Sequence, residues 1–225
     1  MYTVKELYTD IKRRCFTDFT LCKGNMSYNW TQDINGITRR IGLSYRKYQS
    51  GFLLDPPNVR IRFNKVESIL ENIVNKYNIK NIGSESLQFT IMGNIHPVKG
   101  VDYEMFDRFI SDSEYFSGTE AFDFVFDEME AIVKYGAMPF FEKYQTLEDV
   151  HNHAISLRED DYPKFFSGDG PFKLMIIKKL LNKNDYAEYS NRMVDVWTEN
   201  AMKYPQHFKD YDKLVADLKK VLDQR

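Results

Sequence analysis

The chain has 225 residues, 43% hydrophobic and 15% aromatic, so it is long and apolar enough to bury a sizeable core. Its formal net charge of -2 argues against nucleic acid as a partner of the whole molecule. The N-terminus lacks a signal-peptide pattern, no stretch is apolar enough to span a membrane, and two cysteines, Cys15 and Cys22, are too few for a disulfide framework. These features predict a cytoplasmic protein with reduced thiols.

The N-terminal part of the chain begins with apolar residues at helical spacing, which predict a helix over Val4–Arg14. The period then changes to two, which is typical of strands with one buried and one solvated face. Three runs show it: Phe19–Cys22, Met26–Thr31 and Ile37–Tyr45. Asn35-Gly36 separates the last two runs and favours a tight hairpin turn, so we expect an antiparallel meander.

Two further runs, Val59–Phe63 and Leu87–Ile91, predict a fourth and a fifth strand. Between them, Asn64 has the character of a helix cap, with Glu67 three residues later as its reciprocal partner. The apolar spacing from Val66 to Tyr77 is that of an amphipathic helix. We therefore expect a sheet-rich α+β region over residues 1–100.

The second half of the chain is dominated by helical spacing. Ser117 and Glu120 predict a helix start, and Gly136 and Pro139 predict its end. Other predicted helices run from Thr146 to about Arg158, from the Ser167–Pro171 turn to Leu181, over Tyr186–Lys203 and over Phe208–Leu222. The predicted fold is thus α+β: an antiparallel meander of four to five strands packed by helices, then a helical region over 101–225, as a second domain or as part of one.

Charge is unevenly distributed along the chain. Residues 1–80 carry 14 Lys and Arg against 7 Asp and Glu, whereas Arg108 is the only basic residue between Asp102 and Glu130. An acidic surface of this kind can dock a basic protein in a salt-dependent manner. We expect the partner-binding residues to include Asp123, Asp127 and Glu128.

Two motifs resemble ligand sites but are better explained structurally. His151 and His153 are two residues apart on a predicted helix, so they point to different sides and only Glu148 shares a face with His151. The Gly-rich Ser167–Pro171 segment opens a helix, but Lys173 is not followed by Ser or Thr as in a phosphate-binding loop. No metal or cofactor is therefore expected, and Asp169 is interpreted as a helix cap.

Four arginines fall on the polar face of the predicted sheet: Arg40, Arg46, Arg60 and Arg62. Four aromatic residues fall on the opposite face, which we expect to be buried: Tyr28, Trp30, Tyr45 and Phe63. Sheets that read single-stranded RNA expose aromatics for base stacking, so this arrangement argues against RNA binding. The arginines are expected to face water or acidic side chains.

The segments Phe16–Tyr45 and Met138–Asp149 resemble a bacterial family that carries a domain of unknown function, over about residues 4–155. The resemblance implies a helix, a meander and a helical half, and by analogy a role in binding or toxin neutralisation. It carries no catalytic residue over. The leading hypothesis is a non-enzymatic, immunity-type binding protein; the alternatives are an enzyme with a dispersed site that includes Arg60 and Arg62, and a scaffold subunit.

Overall fold

The computed structural model describes residues 4–13, 16, 18–48, 51–55, 57–77, 79, 89–93, 127 and 129–225. The chain divides into two compact units. Unit 1 combines Met1–Ile61 with Gly93–Lys143, and unit 2 combines Arg62–Met92 with Tyr144–Arg225. The domain boundary predicted between residues 100 and 101 lies outside the described residues and stays a prediction.

An antiparallel meander opens the fold, as predicted. Strands β1 (Thr20–Gly24), β2 (Ser27–Ile34) and β3 (Ile37–Tyr48) pair in succession, and β4 (Gly51–Leu54), which the sequence analysis missed, folds back on β3. With β5 (Asn58–Phe63) and β6 (Ile91–Gly93), the strand order among the described residues is β1-β2-β3-β5-β6. The α+β fold, with a sheet followed by a mostly helical half, is therefore confirmed.

The period-two pattern correctly identified the buried face of the meander. Tyr28, Trp30, Ile41, Leu43 and Tyr45 are all buried, and Tyr28 stacks on Tyr45 at 5.5 Å between ring centroids. The hairpin turn between β2 and β3 falls at the predicted dipeptide, where both residues have positive φ, 51° and 79°. Asparagine and glycine tolerate that conformation best, which fixes the register of the hairpin.

Helix α1 (Val4–Arg13) completes the described N-terminal part of unit 1. Leu7 and Ile11, four residues apart on one face, are both buried. Tyr8 stacks on Tyr28 of β2 at 5.9 Å, which attaches the helix to the buried face of the meander.

The helix predicted to end at Gly136 and Pro139 continues past both residues, so this prediction is wrong. Residues 129–132 are helical, Val133–Ala137 form a π-helix, and α3 (Met138–Lys143) follows without a break. A proline ring clashes with the carbonyl four residues earlier in a regular α-helix. The wider π-turn just before Pro139 moves the preceding carbonyls, and Gly136 adapts to that turn without a side chain.

Unit 2 is built from helices apart from its short strand segments. Its elements are α2 (Asn64–Tyr77), α4 (Leu147–Ala154), a 3₁₀ turn (Glu159–Asp161), α5 (Tyr162–Phe165), α6 (Gly170–Leu180), α7 (Tyr186–Lys203), α8 (Pro205–Phe208) and α9 (Tyr211–Asp223). Helix α2 packs on α6 and α9, and α7 packs on α6, α8 and α9. The helix predicted over Phe208–Leu222 starts later because Asp210 adopts a left-handed conformation, with φ 67°.

None of the helices within the described parts of the chain is long and apolar enough to cross a membrane.

Candidate functional site

Of the three predicted partner-binding residues, Asp127 is the one that the structure describes. Asp123 and Glu128 lie outside the described residues. Asp127 is exposed and helical, and Glu130, three residues later, is also exposed. Residues three apart on a helix are neighbours, so these two carboxylates lie on the same side.

The exposed side continues through the π-turn into α3. Lys134, Tyr135, Met138 and Glu142 are exposed, whereas Val133, Ala137 and Phe141 are buried. The exposed residues and the buried residues each recur mainly every four positions. This spacing lies between the 3.6 residues per turn of an α-helix and the larger number per turn of a π-helix, so each set stays on one side of the helix. We call the exposed residues Asp127, Glu130, Lys134, Tyr135, Met138 and Glu142 the 127–142 face.

Large side chains stand out from this face. Tyr135 is 54% exposed and Met138 is 36% exposed. The ammonium of Lys134 lies 4.9 Å from the centroid of the Tyr135 ring, within range of a cation–π contact. Tyrosine and methionine are enriched at protein interfaces relative to the rest of the protein surface.

The helix behind the 127–142 face is firmly held within unit 1. The guanidinium of Arg39 on β3 lies 5.6 Å from the Phe141 ring centroid and donates to the Phe141 carbonyl at 3.4 Å. Phe19 stacks on the same ring at 6.0 Å. A Cβ on Gly93 would come within 2.6 Å of Phe140, so only glycine allows this close approach.

A second group of functional side chains is buried in unit 2. Lys173 on α6 is fully buried, and its Nζ donates to the carbonyls of Phe89 and Ser167, each at 2.5 Å. Nζ also lies 3.3 Å from Oε2 of Glu67 on α2, which is itself fully buried. The buried ammonium thus has two carbonyl acceptors and a carboxylate counterion beside it, which offset the cost of its burial.

Glu67 does not form the capping box predicted with Asn64. Its side chain turns into the core toward Lys173, and neither of its carboxylate oxygens accepts a hydrogen bond of good geometry within the described residues. Burial raises the pKa of Glu67, and Lys173 and Thr90 beside it oppose that rise. Burial likewise lowers the pKa of Lys173, against the opposing effect of Glu67 and Asp169.

Asp169 occupies the cap position before α6, as predicted, but its side chain makes no capping hydrogen bond. Burial raises its pKa to about 6, with Lys173 opposing the rise. Lys173, the lysine that follows the Gly-rich segment, is bound to buried oxygens and so does not point toward a phosphate at this loop. Glu67, Asp169 and Lys173, with the two carbonyls that bind Lys173, are called the Lys173 cluster below.

The sequence contains a signal for the buried lysine that the sequence analysis did not use. Lys173 is surrounded by Phe172, Leu174, Met175 and Ile176, so α6 is apolar on all sides at this point. A helix that is apolar all round lies in the core, and a lysine within it has to find an acidic partner. The identity of that partner, 106 residues earlier in the chain, depends on tertiary packing.

The two histidines on α4 point in different directions, as predicted. His151 is buried, and burial lowers its pKa. His153 packs edge-on against Phe165 at 4.7 Å and against Tyr144 at 5.6 Å. Glu148, the expected neighbour of His151, binds Lys183 at 2.6 Å. No group of three or more metal-ligating side chains occurs among the described residues.

The remaining predicted candidates have structural contacts. Arg46 binds Asp55 at 2.8 Å, and Arg62 binds Glu71 through Nη1 and Nη2, at 3.0 and 3.3 Å. The four aromatic residues predicted on the opposite face of the sheet are buried and so cannot stack on bases: Tyr28, Trp30, Tyr45 and Phe63. Cys22 is exposed, and Cys15 lies outside the described residues.

No protein-family model matches the chain, and neither a curated protein nor a solved structure shows significant similarity to it. The resemblance to a bacterial family therefore stays a prediction, and the functional argument rests on the geometry of the two groups above.

Proposed function

We propose that this protein is a non-enzymatic binding protein that docks a basic protein through the 127–142 face, as an immunity-type protein docks its target. The observation that carries the proposal is the exposed Tyr135, which follows the exposed carboxylates of Asp127 and Glu130 along one firmly held helical stretch. Acidic side chains attract a basic partner over a distance, and a central tyrosine supplies contact area at short range.

The charge pattern of the face gives the docking a direction. Asp127 and Glu130 lie at one end, Lys134 and Tyr135 in the middle, and Glu142 at the other. A partner with basic residues on both sides of an apolar pocket fits this order. Such a partner would bind more weakly at high salt, because exposed charges are screened beyond about 8 Å at physiological ionic strength.

The enzyme alternative has weaker support within the described residues. Glu67 and Lys173 are closed off from solvent, so no substrate can reach their functional groups. A groove of about 430 Å³ in unit 2 is lined by Val194, Ala216, Lys219, Lys220, Asp223 and Gln224. Its only carboxylate, that of Asp223, already binds Lys219 at 2.5 Å and Tyr186 at 2.9 Å. A catalytic site needs converging groups that a substrate can reach.

A charge-reversal experiment tests the binding proposal. The immobilised full chain is used to capture proteins from an extract of the cells that encode it, in parallel with Asp127→Lys/Glu130→Lys and with Asp195→Lys/Glu199→Lys. The second pair reverses two exposed carboxylates on α7, so it makes the same change in net charge at another surface. We expect a basic protein that the chain and the α7 variant retain and that the Asp127/Glu130 variant and high salt both release.

Two results would remove the proposal: capture of no basic protein, or equal loss of the captured protein in both variants. Equal loss would show that overall charge, and not the 127–142 face, governs association.

A further inference from the structure

One cation interrupts the acidic 127–142 face. Lys134 is the only basic residue between Arg108 and Lys143 in the sequence, and it is exposed at the middle of the face. Glu130 stands about one helical turn before it. A surface that attracts basic proteins by charge alone gains nothing from a lysine at this position, because the ammonium repels the partner's cations. Lys134 therefore opposes the long-range attraction that the carboxylates supply.

The Lys134 ammonium lies against the ring of Tyr135, 4.9 Å from the ring centroid. Within the described part of the chain, Lys134 makes this ring contact and no ion pair. A cation over one face of a tyrosine ring occupies the position that an arginine or lysine of a basic partner would otherwise take there. A partner's cation is therefore kept away from the ring face that Lys134 covers.

Lys134 and Tyr135 place hydrogen-bond donors side by side on the surface. The ammonium carries three N–H donors and no acceptor, and the tyrosine hydroxyl can donate its O–H. A carboxylate can accept from both, since it has two acceptor oxygens and a charge opposite to that of the ammonium. The face is acidic before Lys134, basic at Lys134 and acidic again at Glu142. Its complement is a partner surface that is basic, acidic and basic in the same order.

We propose that Lys134 and the Tyr135 hydroxyl bind a carboxylate of the partner protein, and that this carboxylate stands between the basic residues that meet Glu130 and Glu142. This inference rests on the proposed docking function of the 127–142 face and specifies the partner's chemistry at the centre of that face. From the rise of a helix, the two basic residues lie on the order of 6 Å and 12 Å from the carboxylate along the face. The carboxylates of the face attract basic proteins, and Lys134 selects among them the one with this order of charges.

Replacing Lys134 by glutamate separates this proposal from attraction by charge alone. Charge alone predicts tighter binding of a basic protein, because the face becomes more acidic. A carboxylate at the centre of the partner surface predicts binding that is weaker by about tenfold or more, because two like charges then meet at short range. The dissociation constant is measured by isothermal titration calorimetry, with the full chain and the purified basic protein that it captures.

Two further variants are the controls. Lys134→Arg keeps a cation that donates to a carboxylate, so it should retain most of the binding. Lys220→Glu makes the same change in net charge on the exposed side of α9 in unit 2, so it should bind as tightly as the wild type or slightly more tightly.

A zero-length crosslink tests the contact itself. A carbodiimide joins an amine to a carboxylate that touches it, and the reagent takes up the water that is lost as the amide forms. Mass spectrometry of the treated complex should identify an amide between the Lys134 Nζ and an aspartate or glutamate of the partner. Lys134→Arg should bind without forming it, because a guanidinium does not give this product.

Equal or tighter binding by Lys134→Glu would overturn the proposal and leave docking through the 127–142 face intact. Weaker binding without any crosslink from Lys134 would also overturn it, because the lysine would then act only by holding the Tyr135 ring. Capture of no basic protein in the charge-reversal experiment removes the docking function and this proposal together.

Discussion

Replacing Lys173 by methionine is expected to destabilise unit 2 strongly, because it removes the cation from a closed site. Methionine has a similar length and fills the same space, so packing changes little. The carbonyls of Phe89 and Ser167 lose their donor, and Glu67 loses its counterion at 3.3 Å. The substitution thus isolates the electrostatic and hydrogen-bonding role of the ammonium.

The expected size follows from these losses. A buried acceptor left without its donor costs about 1–3 kcal/mol, and removing one partner of a buried ion pair costs about 3–5 kcal/mol. These two costs are not additive, because both include the penalty of leaving buried polar groups without partners. Glu67 can also take up a proton, which lowers the cost of leaving its carboxylate without a counterion. We expect the free energy of unfolding to fall by about 3–5 kcal/mol at neutral pH, and by less at about pH 5, where Glu67 is protonated more easily.

Urea unfolding followed by the fluorescence of Trp197 tests this prediction. Trp197 lies in unit 2, stacked on Tyr211 at 4.9 Å, so a Trp30→Phe background confines the signal to that unit. Lys164→Met is the matched control, since the Lys164 side chain is 79% exposed and its ion pair with Asp161 is on the surface. The control should change stability by no more than about 1 kcal/mol. A loss below about 1 kcal/mol in Lys173→Met would refute the account of the cluster.

Two further substitutions test local features. Thr146→Ala removes the side-chain acceptor of the Asp149 amide and leaves the bond from the Thr146 amide to the Asp149 carboxylate, so unit 2 should lose about 1 kcal/mol in the same urea assay. Gly93→Ala places a Cβ 2.6–2.7 Å from Phe140 and Val59, so unit 1 should lose about 1–3 kcal/mol in a Trp197→Phe background that reports on Trp30. Equal or higher stability in either variant would contradict the corresponding contact.

Features that depend on neighbouring residues in the sequence could be predicted. The Asn35-Gly36 turn and the buried alternation around Tyr28 and Ile41 follow from local backbone preferences and from the period of a half-buried strand. The start of α4 follows equally from Thr146 and Asp149, whose reciprocal hydrogen bonds span three residues. In each case the deciding interaction lies within a few residues of the chain.

Features that depend on distant contacts could not be predicted in the same way. Glu67 has the right spacing for a cap to Asn64, but Lys173 draws it into the core instead. Gly136 and Pro139 end most helices, but here a π-turn carries the helix past them, and Phe141 beyond them packs against Arg39 and Phe19. The alternative conformations are close in local energy, so tertiary packing decides between them.

The 127–142 face was anticipated only in its acidic part. Charge bias in the sequence pointed to Asp127, whereas the exposed Tyr135 lies within the π-turn and the exposed Met138 directly after it. The sequence analysis did not assign these two side chains to a binding surface.

The binding proposal is tested most directly by photo-crosslinking from Tyr135. A photoreactive phenylalanine is placed at position 135 and, in a second sample, at Met202, which is 76% exposed on α7 of unit 2. After irradiation with the basic protein that the chain captures, we predict a covalent adduct from position 135 and none from position 202. Adducts from position 202 without any from position 135 would contradict the assignment of the 127–142 face as the docking surface.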